Sequence, residues 1–269
     1  MKNIDEKTLQ KRRYLGYQNT PFLWSNKLFG LSMFEIEVGN NNDFRSIQNP
    51  NIRLGKLTEE FVLSDLRENC KILASNLQIF REKVTIGELD ALIELHKLKI
   101  HLEIVFKFYL YDPSIQEKYE RWIGPNKKDS LMQKVSKLQN KQLPLLYEKE
   151  STKLLQELDL DIEEFQQKVH FKAQLFIPIN TTNFDTASLN KECIKGFYLK
   201  RNELNEFKNY SFYIPTKLDW LIEPHEDVRW LLFSEFKENI SPMLENKISP
   251  LCWFKSPELS IAKIFVVWW

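Results

Sequence analysis

The chain has 269 residues, of which 43% are hydrophobic and 28% are charged, and its 38 basic and 37 acidic residues leave a net charge of +1. This composition is typical of a globular protein with one large or two small domains, and it excludes a strongly basic nucleic-acid-coating protein, so any positively charged surface is local. The seven glycines form no G-x-G-x-x-G or Walker-type pattern, which excludes those phosphate-binding loops.

The cysteines and the hydrophobic runs indicate the compartment. Cys70, Cys193 and Cys252 are far apart and form no C-x-x-C pair, so neither a disulfide framework nor a structural zinc site is expected. The N-terminus is too polar for a signal peptide, and the longest apolar run, IFVVWW, is too short to span a bilayer. We therefore expect a soluble, cytoplasmic protein without a membrane partner.

The first regular element is predicted after a loop at 37–53, which contains an asparagine run and a proline. A helix over 53–69 places Leu54, Leu57 and Phe61 on one apolar face. Glu59 lies beside a second apolar stripe of this helix. Its carboxylate is either part of a site or a boundary residue paired with a nearby base.

Three strands are predicted next, over 71–82, 86–95 and 99–110. The last two are joined by the short His96–Lys97 link, as in a hairpin, which can bring Asp90 and Glu103 onto the same sheet face. The third strand alternates strictly. One of its faces is wholly apolar, and the other carries His101, Glu103, Val105, Lys107 and Tyr109.

A helix is predicted over 129–143, ended by Pro144. Basic residues outnumber acidic ones around it, which indicates a local basic patch. Candidate phosphate contacts are Lys127, Lys128, Lys134, Lys137 and Lys141, although a lysine stripe is also typical of a solvated helix face. Gln142 lies among apolar residues of this helix, which suggests a hydrogen-bond donor supporting a site.

The rest of the chain is predicted to be an acidic helical stretch over 154–167 followed by a β-rich region. Strands are expected at 169–179, 193–200, 210–215 and 261–269, interrupted by a helix that contains 228–240.

Asp90 and Glu103 form the strongest candidate site. Two carboxylates close together repel each other unless a cation lies between them, and oxygen ligands suit Mg²⁺ or Mn²⁺. Such a metal, with a lysine nearby, supports hydrolysis of a phosphodiester. The alternative is a structural ion-pair network on a solvated sheet face. Glu88 is the next ligand candidate, and His101 is either a proton shuttle or a hydrogen-bonded strand residue.

The order of these motifs resembles the restriction-endonuclease-like, or PD-(D/E)XK, nuclease superfamily. GELDALI followed by HLEIVFK resembles its "GE-hydrophobic-D … E-x-K" arrangement, and Gly55 with Glu59 resembles its helical G-x-x-x-E. More narrowly, LGKLTE, IGELDALI, HLEIVFKFYL, WIGPN, QLPL and KLDWL resemble a bacterial family of unknown function, domain of unknown function 1853.

The resemblance implies an α/β fold, with a restriction-endonuclease-like core of a mixed central sheet flanked by helices and a β-rich C-terminal extension. The corresponding boundaries are an N-terminal extension at 1–50, the core at 51–153 and an α+β region at 154–269. It also implies that Asp90 and Glu103 are metal ligands, Lys107 the catalytic lysine and Glu59 an accessory acid.

The implied function is metal-dependent cleavage of nucleic acid, DNA in the first instance, with Mg²⁺ or Mn²⁺ as the cofactor. One position departs from the superfamily pattern, because Val105 stands where the lysine is usual. Lys107 is two residues further along the same face, about 7 Å away. The alternative function is a catalytically silent module of this fold that binds nucleic acid or a protein partner.

Overall fold

The computed structural model describes residues 5–36, 51–181 and 184–269, so most of the predicted 37–53 loop lies outside the described residues. The described residues form five α-helices and eleven strands, with short π- and 3₁₀-helical turns between some of them. The helices are α1 (Glu6–Gln18), α2 (Leu54–Asn69), α3 (Leu131–Lys137), α4 (Lys149–Glu157) and α5 (Phe233–Glu245).

The strands confirm most of the β-structure that the sequence predicts. They are β1 (Lys27–Leu28), β2 (Leu31–Ser32), β3 (Lys71–Arg81), β4 (Val84–Leu95), β5 (Leu98–Tyr111), β6 (Trp122–Ile123), β7 (Phe165–Pro178), β8 (Ile194–Lys200), β9 (Ser211–Tyr213), β10 (Leu251–Lys255) and β11 (Ile261–Val267).

The chain folds into two compact units, each made of several segments. Unit 1 comprises 1–21, 107–132 and 173–269, and unit 2 comprises 22–106 and 133–172. The boundaries that the resemblance implies, after residues 50 and 153, are those of contiguous segments and remain a prediction. Strands β5 and β7 each contribute residues to both units.

Unit 2 contains the strands that carry the candidate carboxylates. Its sheet order is β3-β4-β5-β7, with antiparallel pairing from β3 through β4 to β5. Helix α2 packs against β3 and β4, as expected from its apolar face. A cluster of buried side chains from β3, β4, β7, α4 and the turn after α3 forms one core of the unit; it comprises Ile79, Leu89, Leu92, Leu145, Leu146, Leu155 and Phe165.

Unit 1 contains the rest of the sheet. Its order is β5-β7-β8-β11-β10-β9, with β6 paired to β5. Strands β7, β8 and β11 are parallel neighbours, while β11, β10 and β9 are antiparallel neighbours. Helix α5 packs on β9, where the rings of Phe212 and Phe236 stack at 4.1 Å between centroids.

At this level the predicted fold class is confirmed: the protein is mixed α/β, with a large mixed sheet flanked by helices. Three predicted helices are only partly correct. The helix predicted to contain 228–240 is α5, which begins only at Phe233 and continues to Glu245. The 154–167 stretch is α-helical only up to Glu157, has a 3₁₀ turn at Ile162–Glu164 and is strand from Phe165. Phe165, Val169 and Phe171 all fall on the same face of a two-residue period, which suits a strand.

The third is the helix predicted over 129–143, whose second half is not α-helical. Helix α3 ends at Lys137, and a π-helical turn spans Leu138–Gln142. Pro144 does not terminate the helix abruptly but begins a 3₁₀ turn, Pro144–Tyr147, where its missing N–H costs nothing.

In the parts of the chain that the structure describes, no helix combines the length and the apolar character needed to cross a membrane.

Candidate functional site

The candidate site lies in unit 2, where β4 and β5 separate. The turn between them consists of His96 and Lys97, with φ of 50° and 69°. Two consecutive residues with positive φ are typical of the tight turns that join antiparallel strands. The turn sets a register in which Leu95 pairs with Leu98 and Ala91 pairs with Leu102. The next residues along the two strands are Asp90 and Glu103, so the predicted hairpin is confirmed.

The backbone pairing of β4 with β5 ends at Ala91 and Leu102, and beyond it the side chain of Asp90 bonds to the backbone of β5. Asp90 Oδ2 accepts a hydrogen bond of 2.8 Å from the backbone N–H of Ile104. A carboxylate that accepts a backbone N–H is held in one orientation and is stabilised in its charged form. Asp90 is nevertheless 8% exposed, so its carboxyl group is largely removed from water.

Glu103 is fully buried, and both of its oxygens accept hydrogen bonds. His101 Nε2 lies 3.2 Å from Oε1, and Gln142 Nε2 donates to Oε2. The supporting donor that the sequence suggests for Gln142 is confirmed by this contact. The two donors fix the carboxyl group from both sides, because it can rotate only by breaking one of these bonds.

His101 is held as a neutral imidazole in one tautomer. Gln167 Nε2 donates to His101 Nδ1 over 3.2 Å and to the carbonyl oxygen of Leu143 over 2.5 Å. Because Nδ1 accepts a hydrogen bond, the proton is on Nε2 and points to Glu103. Burial lowers the pKa of His101 to about 4, although the charge of Asp90 opposes this shift. His101 is therefore a hydrogen-bonded strand residue at neutral pH.

The carboxyl pair has strongly perturbed pKa values. Burial, together with the neighbouring negative charge of Glu103, raises the pKa of Asp90 to about 8. Burial also raises the pKa of Glu103, to about 7, while the positive charge of Lys134 opposes the rise. Without a cation the pair therefore retains protons at neutral pH. Titratable groups perturbed by burial and a charged neighbour are typical of functional sites.

Glu59 lies close enough to raise the pKa of both carboxyl groups through its charge. Its own carboxylate is paired, with Lys56 Nζ at 2.8 Å. The same ammonium contacts Asn76 Oδ1 at 2.5 Å and Glu88 Oε1 at 3.3 Å. Glu59 is thus paired with a nearby base, as one of its two sequence interpretations expects, and Glu88 shares that base.

Lys107, the predicted catalytic lysine, belongs to unit 1. Its ammonium contacts Asp129 Oδ2 at 2.6 Å, and Asp129 is a residue of the same unit. Asp129 is itself held by a tight turn, because its carbonyl oxygen accepts the N–H of Gly124. The catalytic role of Lys107 remains a prediction.

The five lysines predicted to contact phosphate are divided between the units. Lys127 and Lys128 are exposed in unit 1, where Lys127 lies over the ring of Trp269 at 3.9 Å. In unit 2, Lys137 and Lys141 are exposed and Lys134 is half-buried. The Lys134 ammonium donates to Gln142 Oε1 at 2.6 Å.

Sequence reasoning missed Gln167 because it assigned that residue to the end of a helix. The signal was present, since Gln167, Val169 and Phe171 alternate with polar residues and extend the predicted strand toward its N-terminus. It also treated Lys134 only as part of a basic stripe. The π-helical turn that brings Gln142 to Lys134 leaves no comparable pattern in the sequence.

The described residues contain no group of three or more His, Cys, Asp or Glu side chains arranged to hold a metal ion. The donors that are present, two carboxyl groups, are the oxygen ligands through which Mg²⁺ is usually bound together with water and phosphate.

The fold and the site define a mixed α/β protein with a buried carboxyl pair at a strand fork. The family model described as Domain of unknown function (DUF1853) matches residues 40–260, and the chain belongs to this family. No curated protein and no solved structure matches the chain significantly.

Proposed function

We propose that unit 2 carries the active site of a metal-dependent phosphodiesterase that cleaves nucleic acid, with a restriction-endonuclease-like core. The observation that carries this proposal is the pair Asp90 and Glu103, buried side by side with both pKa values raised. A buried like-charged pair is costly in isolation, and a bound divalent cation removes that cost. The resemblance of the motifs to PD-(D/E)XK nucleases supports the same assignment.

The two carboxylates would hold Mg²⁺ or Mn²⁺, which supplies polarisation of the phosphodiester and a lower pKa for a bound water. The protein's own contribution is orientation. The N–H of Ile104 fixes Asp90, and the donors His101 and Gln142 fix Glu103. Hydrogen-bonded supports of this kind hold ligands in place before a metal binds. Glu59 adds negative charge, which favours the cation.

The nucleic-acid partner is supported by exposed lysines in the part of unit 2 that contains Gln142. Lys137 and Lys141 are exposed there, and Lys134 adjoins the carboxyl site. Phosphate contacts by such lysines add affinity without sequence preference. Lys127 and Lys128 are proposed as further contacts from unit 1. A cytoplasmic location accords with the free thiols of Cys70, Cys193 and Cys252.

The test is cleavage of a panel of single- and double-stranded DNA and RNA by the full-length protein with Mg²⁺ or Mn²⁺. Asp90→Asn and Glu103→Gln keep the shape of each side chain but remove a ligand charge. We expect each variant to cleave roughly 10³-fold more slowly, because the lost ligand charge removes several kcal/mol of transition-state stabilisation. Glu94→Gln removes a charge from the same strand and the same alternation phase as Asp90, and it should leave the rate within a factor of about three.

Cleavage that survives both Asp90→Asn and Glu103→Gln would show that the nuclease activity belongs to another site or to a contaminant. Mn²⁺ binding, measured by calorimetry in the same samples, separates loss of the metal from loss of catalysis alone.

The second candidate is a catalytically silent module that binds nucleic acid or a protein partner. It is favoured by one observation: Glu103 is fully buried and both oxygens already have neutral donors. Such a carboxyl group is satisfied without a metal. Nucleic-acid binding without Mn²⁺ binding or cleavage would select this function.

A further inference from the structure

We propose that Lys134, held by the amide of Gln142, is the lysine of the candidate site and stabilises the charge that develops on the phosphate. The inference rests on the proposed phosphodiesterase function and replaces the role that the sequence pattern assigns to Lys107.

The first support is a continuous hydrogen-bonded connection from the lysine to the carboxylate. Lys134 Nζ donates to Gln142 Oε1 at 2.6 Å, and the Nε2 of the same amide donates to Glu103 Oε2. One planar amide therefore fixes the ammonium relative to a proposed metal ligand. Lys134 is half-buried, which is unusual for a lysine that only faces solvent.

The second support is the helix geometry that makes this connection. Lys134 and Gln142 are eight residues apart, which corresponds to about 12 Å of rise in a regular α-helix. Here α3 gives way to the π-helical turn Leu138–Gln142, closed by the N–H of Leu143 donating to the carbonyl of Leu138 at 2.9 Å. π-Helical turns are rare and occur frequently at functional sites. The turn directs Gln142 to Lys134 and Glu103 together.

The third support is electrostatic. The ammonium of Lys134 is close enough for its positive charge to interact with the carboxyl groups of both Asp90 and Glu103. Lys107, by contrast, is paired at 2.6 Å with Asp129, a partner in its own unit.

The chemical role follows from these contacts. In hydrolysis the oxygen of a water molecule forms a bond to phosphorus while the bond from phosphorus to the leaving oxygen breaks, and a proton from that water ends on the leaving oxygen. Lys134 keeps its proton throughout. Its ammonium donates hydrogen bonds to the phosphate oxygens on which negative charge accumulates, as cationic groups do in other phosphoryl-transfer sites.

The test compares Lys134→Met, Lys134→Arg and Lys107→Met in the full-length protein, with kcat, KM and Mn²⁺ affinity measured for each. We expect Lys134→Met to lower kcat by roughly 10²- to 10³-fold, the usual effect of removing one such donor. The loss should exceed that in Lys107→Met by at least tenfold. Mn²⁺ should bind Lys134→Met as tightly as the wild type or more tightly, because a neighbouring positive charge has been removed.

Chemical rescue excludes a purely structural effect. Lys134→Cys treated with 2-bromoethylamine regains an ammonium group at nearly the original distance, and its kcat should rise at least tenfold. Equally treated wild type controls for alkylation of Cys70, and Lys149→Met, an exposed lysine of unit 2, controls for loss of a surface charge.

Each outcome decides the matter. A wild type that cleaves and a Lys134→Met variant that cleaves equally well would overturn the assignment of Lys134 while the phosphodiesterase stands. A larger loss in Lys107→Met would return the role to Lys107. A wild type that neither cleaves the panel nor binds Mn²⁺ would overturn both the function and the inference, a result distinct from the other two.

Discussion

The buried carboxyl pair of unit 2 lowers the stability of the folded protein at alkaline pH, and this effect can be measured without an activity assay. In the unfolded chain both acids lose their protons near pH 4. In the folded, metal-free protein burial raises the pKa of Asp90 to about 8 and that of Glu103 to about 7. Between these pH values the folded state binds more protons than the unfolded state. The free energy of unfolding therefore falls as the pH rises from about 4 to about 8.

Asp90→Asn removes one of the two charges and keeps an oxygen for the N–H of Ile104. In EDTA at pH 8 we expect the variant to be more stable than the wild type, by an amount on the order of 1–3 kcal/mol. The difference should shrink toward pH 5, where the wild-type pair holds its protons. Urea denaturation followed by tryptophan fluorescence measures it.

Two comparisons make this result specific. Glu94→Gln should show no comparable gain at pH 8, since its carboxyl group lies outside the pair. Addition of Mg²⁺ at pH 8 should raise the stability of the wild type and have less effect on Asp90→Asn. An Asp90→Asn variant that is less stable than the wild type at every pH would show that burial of the two charges does not destabilise the folded protein.

For single residues, the sequence predicts which side chains share a face of a strand or of a hairpin. Asp90 and Glu103 follow from alternation and a short turn, and Gln142 is noticeable because it interrupts an apolar face. The partners of these residues are harder to predict. The contact between Gln167 and His101 joins positions 66 residues apart, and Lys107 is bound by Asp129 for reasons that no local pattern contains.

Among the elements, the β4–β5 hairpin contains a correctable weakness. His96 and Lys97 are exposed, with φ of 50° and 69°, a region that side chains with a Cβ occupy at some cost. Asparagine followed by glycine is the preferred pair in such turns. We expect His96→Asn with Lys97→Gly to raise the free energy of unfolding by about 1 kcal/mol.

Equilibrium urea denaturation tests this prediction, with Lys208→Gly as the control. Lys208 has a φ of −57°, so glycine there adds only freedom to the unfolded chain and should destabilise the protein by about 0.5–1 kcal/mol. Destabilisation by both changes would mean that the side chains of His96 and Lys97 contribute more than their conformations cost.

Helices and strands whose apolar residues recur at a regular spacing are predicted well from the sequence, and irregular elements are not. Helix α2 and strands β3 to β5 begin and end within two residues of expectation, because apolar spacing and turn residues agree there. β10 is missed, as the segment LCWFK is short and has no alternation. The π-helical turn after α3 is missed because one extra residue per turn leaves the composition unchanged.

At the scale of the whole molecule, we expect a fragment to fold only if it contains all the strands of one unit. The fragment 51–153 contains both carboxyl groups but lacks β7, the neighbour of β5, and with it Gln167 and the core residue Phe165. We expect this fragment to lack a cooperative urea transition, because β5 then has an exposed edge and His101 has lost its donor.

A longer fragment, 22–172, is the matched comparison, since it includes every residue of unit 2. Its urea transition should be more cooperative and its backbone amides in β4 and β5 better protected from hydrogen exchange. A sigmoidal transition in 51–153 with protection equal to that of 22–172 would show that β7 is dispensable.

Strand β5 also limits where residues can be inserted into the chain. The boundary between the units falls at the peptide bond after Phe106, inside this strand. Inserting a single residue there would exchange the two faces of the rest of the strand, up to Tyr111, so that Lys107 and Tyr109 would no longer be in phase with His101 and Glu103. We therefore expect insertions and fusions to be tolerated better outside β5 and β7, the two strands that a unit boundary crosses.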